Sequence, residues 1–155
     1  MFRALATGFF GLGLISSFAL AAEMADKADE KPADVLKVVV TPSKTAVAPN
    51  KPFKVSLVVE NASSQAQTLE VMSCSWDGHW QSDNRSVAWN GWPCFKNIRQ
   101  QVTLEPGKSY AKELEMHVAA DAPKGKISFR MGFTPIDSTK TYWSEPVKLS
   151  VESGE

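Results

Sequence analysis

The chain has 155 residues, with 17 Lys and Arg balanced by 17 Asp and Glu, 43% hydrophobic residues and two cysteines. The zero formal net charge excludes a protein that holds nucleic acid or an anionic membrane surface through bulk charge. The apolar content excludes a chain disordered throughout.

The first element is MFRALATGFFGLGLISSFALAAE, which reads as a secretory signal peptide over residues 1–21. Arg3 gives the positive start, Ala4 to Phe18 is uncharged and mostly apolar, and Ala19-Leu20-Ala21 is a small-x-small cleavage site. The rival reading, an uncleaved anchor, is disfavoured by three glycines and the clean cleavage motif. Export to a periplasmic or extracellular space follows, with no membrane span after cleavage. Removal of Arg3 leaves 16 basic against 17 acidic residues, a net charge of −1.

Residues 22–34 follow, and EMADKADEKPAD within them carries five acidic and two basic residues with few apolar ones. Such a segment buries too little surface to order itself and is expected to be a flexible acidic tether. Pro32 discourages a helix entering the next segment.

From Val35 the hydrophobic period is two, over a β-sandwich domain expected to span 35–152. Phe53, Val55, Leu57 and Val59 share a face against Lys54, Ser56 and Glu60. Tyr110, Leu114, Met116 and Val118 oppose Glu113, Glu115 and His117, and Ile127, Phe129, Met131 and Phe133 alternate with Ser128, Arg130 and Gly132. Val147, Leu149 and Val151 repeat the pattern, and Leu36–Thr41, Thr68–Ser73 and Ile98–Leu104 are shorter candidates. Strict alternation marks strands with one buried face. Pro49-Asn50-Lys51-Pro52, Asn61-Ala62-Ser63-Ser64, Glu105-Pro106-Gly107-Lys108 and Ala122-Pro123-Lys124-Gly125 are turn signals between them. The expected fold is all-β: a single antiparallel, immunoglobulin-like β-sandwich of about seven or eight strands, without a helix. Its final strand is a candidate edge for pairing with a partner.

The layout VSLVVENASSQAQTLEV, then VTLEPGKSYAKELEMHV, then PKGKISFRMGF, resembles bacterial extracytoplasmic immunoglobulin-like domains. It is also similar in layout to BsuPI-type proteinase inhibitor domains, as a pattern over roughly residues 35–151. The resemblance implies a sandwich fold and an extracytoplasmic place. The Cys74–Cys94 segment has no counterpart in the inhibitors, so inhibitor activity does not carry over.

That segment, CSWDGHWQSDNRSVAWNGWPC, holds both cysteines and four of the five tryptophans: Trp76, Trp80, Trp89 and Trp92. In an oxidising compartment Cys74 and Cys94 are most simply one disulfide. Its 21-residue loop, counted inclusively, is worth about 3 kcal/mol. Between Cys74 and about Ile98 alternation is lost, and a loop that long is expected to be functional or pinned. Pinned aromatic surface serves a protein interface, and Trp76, His79, Trp80, Asp83, Asn84, Trp89, Asn90 and Trp92 are the expected contact residues for an envelope or secreted protein. A carbohydrate site would stack a sugar on Trp80 or Trp92 and bind its hydroxyls with Gln81, Asp83, Asn84 and Asn90. Equally plain is an inward role for the tryptophans as a plug on the core. About two are expected to point inward, with Trp80 and Trp92 left exposed.

Other chemistry finds little footing. His79 and His117 are the only histidines, and they form no His-x-His pattern; with Met72, Met116 and Met131 they make no clustered ligand trio, so no metal or other cofactor is expected. No Gly-x-Ser-x-Gly, His-Glu-x-x-His or phosphate loop occurs, and no enzyme is expected. Asn61-Ala62-Ser63 and Asn84-Arg85-Ser86 are glycosylation sequons.

Overall fold

The computed structural model describes residues 35–91 and 93–152. The expected signal peptide, the expected acidic tether and Trp92 lie outside the described residues.

Among the described residues there are twelve strands and one 3-10 turn. The strands are β1 (Leu36–Pro42), β2 (Ala46–Val47), β3 (Phe53–Asn61), β4 (Gln67–Met72), β5 (Trp80–Ser82) and β6 (Val87–Trp89). They continue with β7 (Arg99–Leu104), β8 (Ser109–Val118), β9 (Gly125–Phe129), β10 (Met131–Phe133), β11 (Tyr142–Trp143) and β12 (Val147–Val151). The 3-10 turn is Trp76–His79. Pairing is antiparallel except between β2 and β12.

One layer is the four-stranded sheet β1-β3-β8-β6. Its inner face is the alternating set read from the sequence: Phe53, Val55, Leu57 and Val59 on β3, and Leu114, Met116 and Val118 on β8, are all buried. Lys54 and Ser56, like Glu113 and Glu115, are exposed on the opposite face.

The remaining core comes from Phe129, Met131, Phe133, Leu149, Val151, Trp80, Leu69 and Val71. β9 and β10 form one stretch broken at Arg130, and β11 and β12 form its antiparallel partner. Between the paired positions Phe129↔Val147 and Gly132↔Trp143, three residues (Ser144, Glu145, Pro146) face two (Arg130, Met131). That extra residue is a β-bulge. It moves inward-facing positions from Val147, Leu149 and Val151 to Ser144, and Ser144 is buried with its Oγ accepting the Met131 N–H at 3.1 Å. Pro146 has no N–H to lose there. Gly132 is required on β10, because a Cβ would lie 2.6 Å from Thr141 Cγ2 and 3.0 Å from the Trp143 ring.

The final strand is paired on both sides at its C-terminal end. β12 pairs with β9 along its length and with β2 at Ser150 and Val151, so the expected partner edge is closed there.

One buried polar side chain ties two loops together. Asn61 Nδ2 donates to Leu104 O at 2.8 Å and to Gln65 O at 2.7 Å, and its Oδ1 accepts the Ser63 N–H at 2.9 Å. Every polar atom of that amide has a partner, which makes its complete burial tolerable. The turn it holds contains Gly107 at φ 72°, closed by Lys108 N–H to Glu105 O at 2.9 Å. Pro106 before a left-handed glycine is the sequence such a turn demands. The Asn61 sequon is therefore inaccessible in the folded state.

Candidate functional site

The segment expected to be a long pinned loop contains the 3-10 turn and the short strands β5 and β6. Its ends are joined by the Cys74–Cys94 disulfide, with the Cα atoms 5.7 Å apart. The disulfide fits an oxidising compartment rather than a reducing one.

Trp80 is not exposed. It is 4% accessible, on β5 opposite Phe133 of β10, with ring centroids 5.1 Å apart. The polar neighbour Gln81 misled, because successive strand residues face opposite sides: Gln81 points out where Trp80 points in. Trp76 and Trp89 are half-buried, both packed against the core. Lys112 Nζ lies 5.6 Å from the Trp76 ring centroid and 5.3 Å from that of Tyr110, a cation held against two aromatic faces.

The polar residues expected at the site are mostly occupied by the fold. His79 Nε2 accepts the Met72 N–H at 2.9 Å, and Nδ1 lies 3.2 Å from Thr134 O, which requires the Nδ1–H tautomer. Burial lowers the His79 pKa, and this outweighs the raising effects of Thr134 O and Asp77. Asp83 clasps the break between β9 and β10: Oδ1 accepts the Arg130 N–H at 2.6 Å and Oδ2 accepts Arg130 Nε–H at 2.8 Å. Burial works against that carboxylate, but the Arg130 hydrogen bonds outweigh it and hold the pKa below the usual carboxylate value. Asn84 accepts Ser86 N–H at 2.9 Å and donates to Ser128 O at 2.9 Å, so the second sequon amide is also engaged. Asn90 is exposed.

The two most exposed large apolar residues among those described lie just past the disulfide. Phe95 is 95% accessible and Ile98 63%. The chain between them is fastened to the other side of the loop. Asn97 Oδ1 accepts the N–H groups of Cys74 at 3.2 Å and Ser75 at 3.3 Å, and its Nδ2 donates to Ser75 Oγ. Ser73 N–H donates to Ile98 O at 2.9 Å, and Ile98 N–H donates to Ser73 Oγ at 3.1 Å. Phe95 and Ile98 are thus presented on backbone fixed by a covalent bond and several hydrogen bonds. Sequence reasoning passed over both, reading Ile98 as a strand start. The available signal was an apolar pair around Lys96-Asn97, directly after Cys94 and outside any alternating strand.

Among the described residues, no group of three or more His, Cys, Asp or Glu side chains is placed to hold a metal ion. No helix among them is long and apolar enough to cross a membrane.

No protein-family model matches the chain. No curated protein matches it either. Among solved structures, the sporulation control protein Spo0M from Bacillus subtilis is similar with a TM-score of 0.51 and 15% identity, over 77% of this chain and 50% of that one. At that identity the likeness is one of β-sandwich fold, and this chain spans about half of Spo0M's length. A β-glucosidase from Erythrobacter marinus matches with a TM-score of 0.39 and 15% identity, over 76% of this chain and 15% of that one. A CARDB domain from Pyrococcus furiosus, solved in complex with di-metal ions, matches with a TM-score of 0.37 and 13% identity, over 76% and 87%.

Proposed function

We propose that this chain is an exported, non-catalytic binding or accessory module of the cell envelope that contacts a protein partner through its disulfide-pinned loop. The observation that carries the reading is the outward presentation of Phe95 and Ile98 on clamped backbone. Two large apolar side chains in water cost solvation free energy that a partner's surface recovers. Because the clamp already fixes the backbone, little ordering entropy is lost on binding. Trp76, Trp89 and Asn90 lie within the loop itself, while Trp80 is buried against Phe133.

A glycan platform calls for an exposed indole beside planar polar groups. The described loop indoles are buried or half-buried, and Asp83 and Asn84 are already bonded within the fold, which favours the protein partner.

The test is affinity capture from an envelope extract by the oxidised protein, beside a folded Phe95→Ser, Ile98→Ser variant and a parallel panel of envelope polysaccharides. A discrete protein retained by the parent and lost by the variant is expected. Polysaccharide retention that the variant keeps would overturn the reading.

A further inference from the structure

β8 is paired unequally along its two edges. On one side β3 pairs with it from Ser109 to Met116. On the other, β6 reaches only from Met116 to Val118. Among the described residues, no strand pairs with Ser109 to Glu115 on that second side.

The backbone phase of this edge is fixed by two bonds. Ala119 N–H donates to Ser86 O at 2.9 Å, toward β6, whereas Val118 O accepts Asn50 N–H at 2.8 Å, on the β3 side. Alternate residues of a strand direct their N–H and C=O groups to opposite edges. Ala111, Glu113 and Glu115 therefore aim theirs toward the side that β6 has left. β6 ends at Trp89, and its pairing with β8 stops at Trp89↔Met116. A groove of about 970 Å³ opens between that loop and β8, with Cys74, Trp76, Asn90, Glu113 and Glu115 among its walls.

We propose that this edge of β8 receives an extended cationic peptide segment as an added strand. Main-chain bonds to Glu113 and Glu115 would supply affinity, and side-chain alternation would supply selectivity. Residues on the outer face of the added strand meet Glu113 and Glu115. Those on the inner face meet Lys112 and the Trp76 ring against which it lies. Glu115 makes no ion pair among the described residues, and Glu113 makes one, with exposed Lys54 at 2.8 Å. A cationic side chain at alternate positions complements that charge. The chain's own residues 22–34 carry five acidic and two basic residues, the same sign of charge as Glu113 and Glu115. This site is separate from Phe95 and Ile98 and does not rest on their role.

The probe is an acetylated heptapeptide alternating lysine and valine, titrated against the oxidised protein. Fluorescence anisotropy and amide hydrogen exchange are the readouts. Binding is expected to slow exchange at Ala111, Glu113 and Glu115, and to be lost when the peptide amides facing β8 are N-methylated. A Glu113→Gln, Glu115→Gln variant, altered only at exposed side chains, should weaken it by about fivefold or more. A Phe95→Ser, Ile98→Ser variant should bind it as the parent does. Absence of protection at the three amides, equal binding of a glutamate–valine peptide, or loss of binding in the Phe95→Ser, Ile98→Ser variant would each overturn the proposal.

Discussion

The indole of Trp80 lies 5.1 Å from the ring of Phe133, tilted by 53°, and joins the disulfide-bounded segment to the main core. Such a tilt suits the quadrupoles of two aromatic rings. The indole Nε1–H is buried without a hydrogen-bond partner among the described residues, so the contribution of Trp80 is that of its apolar surface. Trp80→Ala is expected to cost about 3–5 kcal/mol, and Trp80→Phe about 1–2 kcal/mol, with no hydrogen bond lost. Urea denaturation of the oxidised proteins measures both. Equal losses in the two variants would show that Trp80 is not a packing residue.

His79 makes stability depend on pH. Its folded pKa is depressed, first by burial, and its Nε2 is needed as an acceptor for Met72 N–H. The unfolded chain therefore takes the proton first as the pH falls below about 6.5. Stability falls with pH through that window and flattens once the folded-state value is passed. Asp83, whose folded pKa is also lowered, contributes stability that is lost only at lower pH, below the ordinary carboxylate value. A His79→Gln variant should lose the upper slope and keep the lower one. Urea midpoints measured from about pH 7.5 down to pH 3 would resolve the two.

Asn61 is expected to be among the most sensitive polar positions. Replacing it with Ala removes the Asn61 partners of Leu104 O and Ser63 N–H, at about 1–3 kcal/mol for each group that stays dry, while exposed Gln65 O keeps Ser63 Oγ as a donor. Asn61→Asp retains the acceptor but loses both donors, and should be no better than Ala. Thermal melting of the three proteins tests this, and a melting temperature for Asn61→Asp near that of the parent would refute the assignment.

Much of the sandwich was legible because its core strands have one wet face. β3 and β8 show the period of two without interruption, and their buried residues are those the alternation marked. The bulge opposite Arg130 was hidden, since Ile127 to Phe133 keeps its parity and the extra residue lies on the partner strand, at Ser144–Pro146. β2 and β11 are two residues each, too short for any period. In the tryptophan segment the turn residues were visible, but β5 and β6 have three residues apiece and owe their positions to β10 and β8. Trp80 and Phe95 show the limit from opposite sides. One is an aromatic beside polar residues that tertiary pairing buries; the other follows a cysteine whose partner and clamp leave it outside.

The central claim is that the clamped segment after Cys94 is a contact surface for a protein. Its most direct test is a benzophenone photocrosslinker placed at position 95 in the protein expressed in its own cells, with a second at exposed Lys126 on β9 as control. A discrete protein adduct from position 95, absent from position 126 and lost on reduction of Cys74–Cys94, is expected. No adduct from position 95, or the same adducts from both positions, would contradict it.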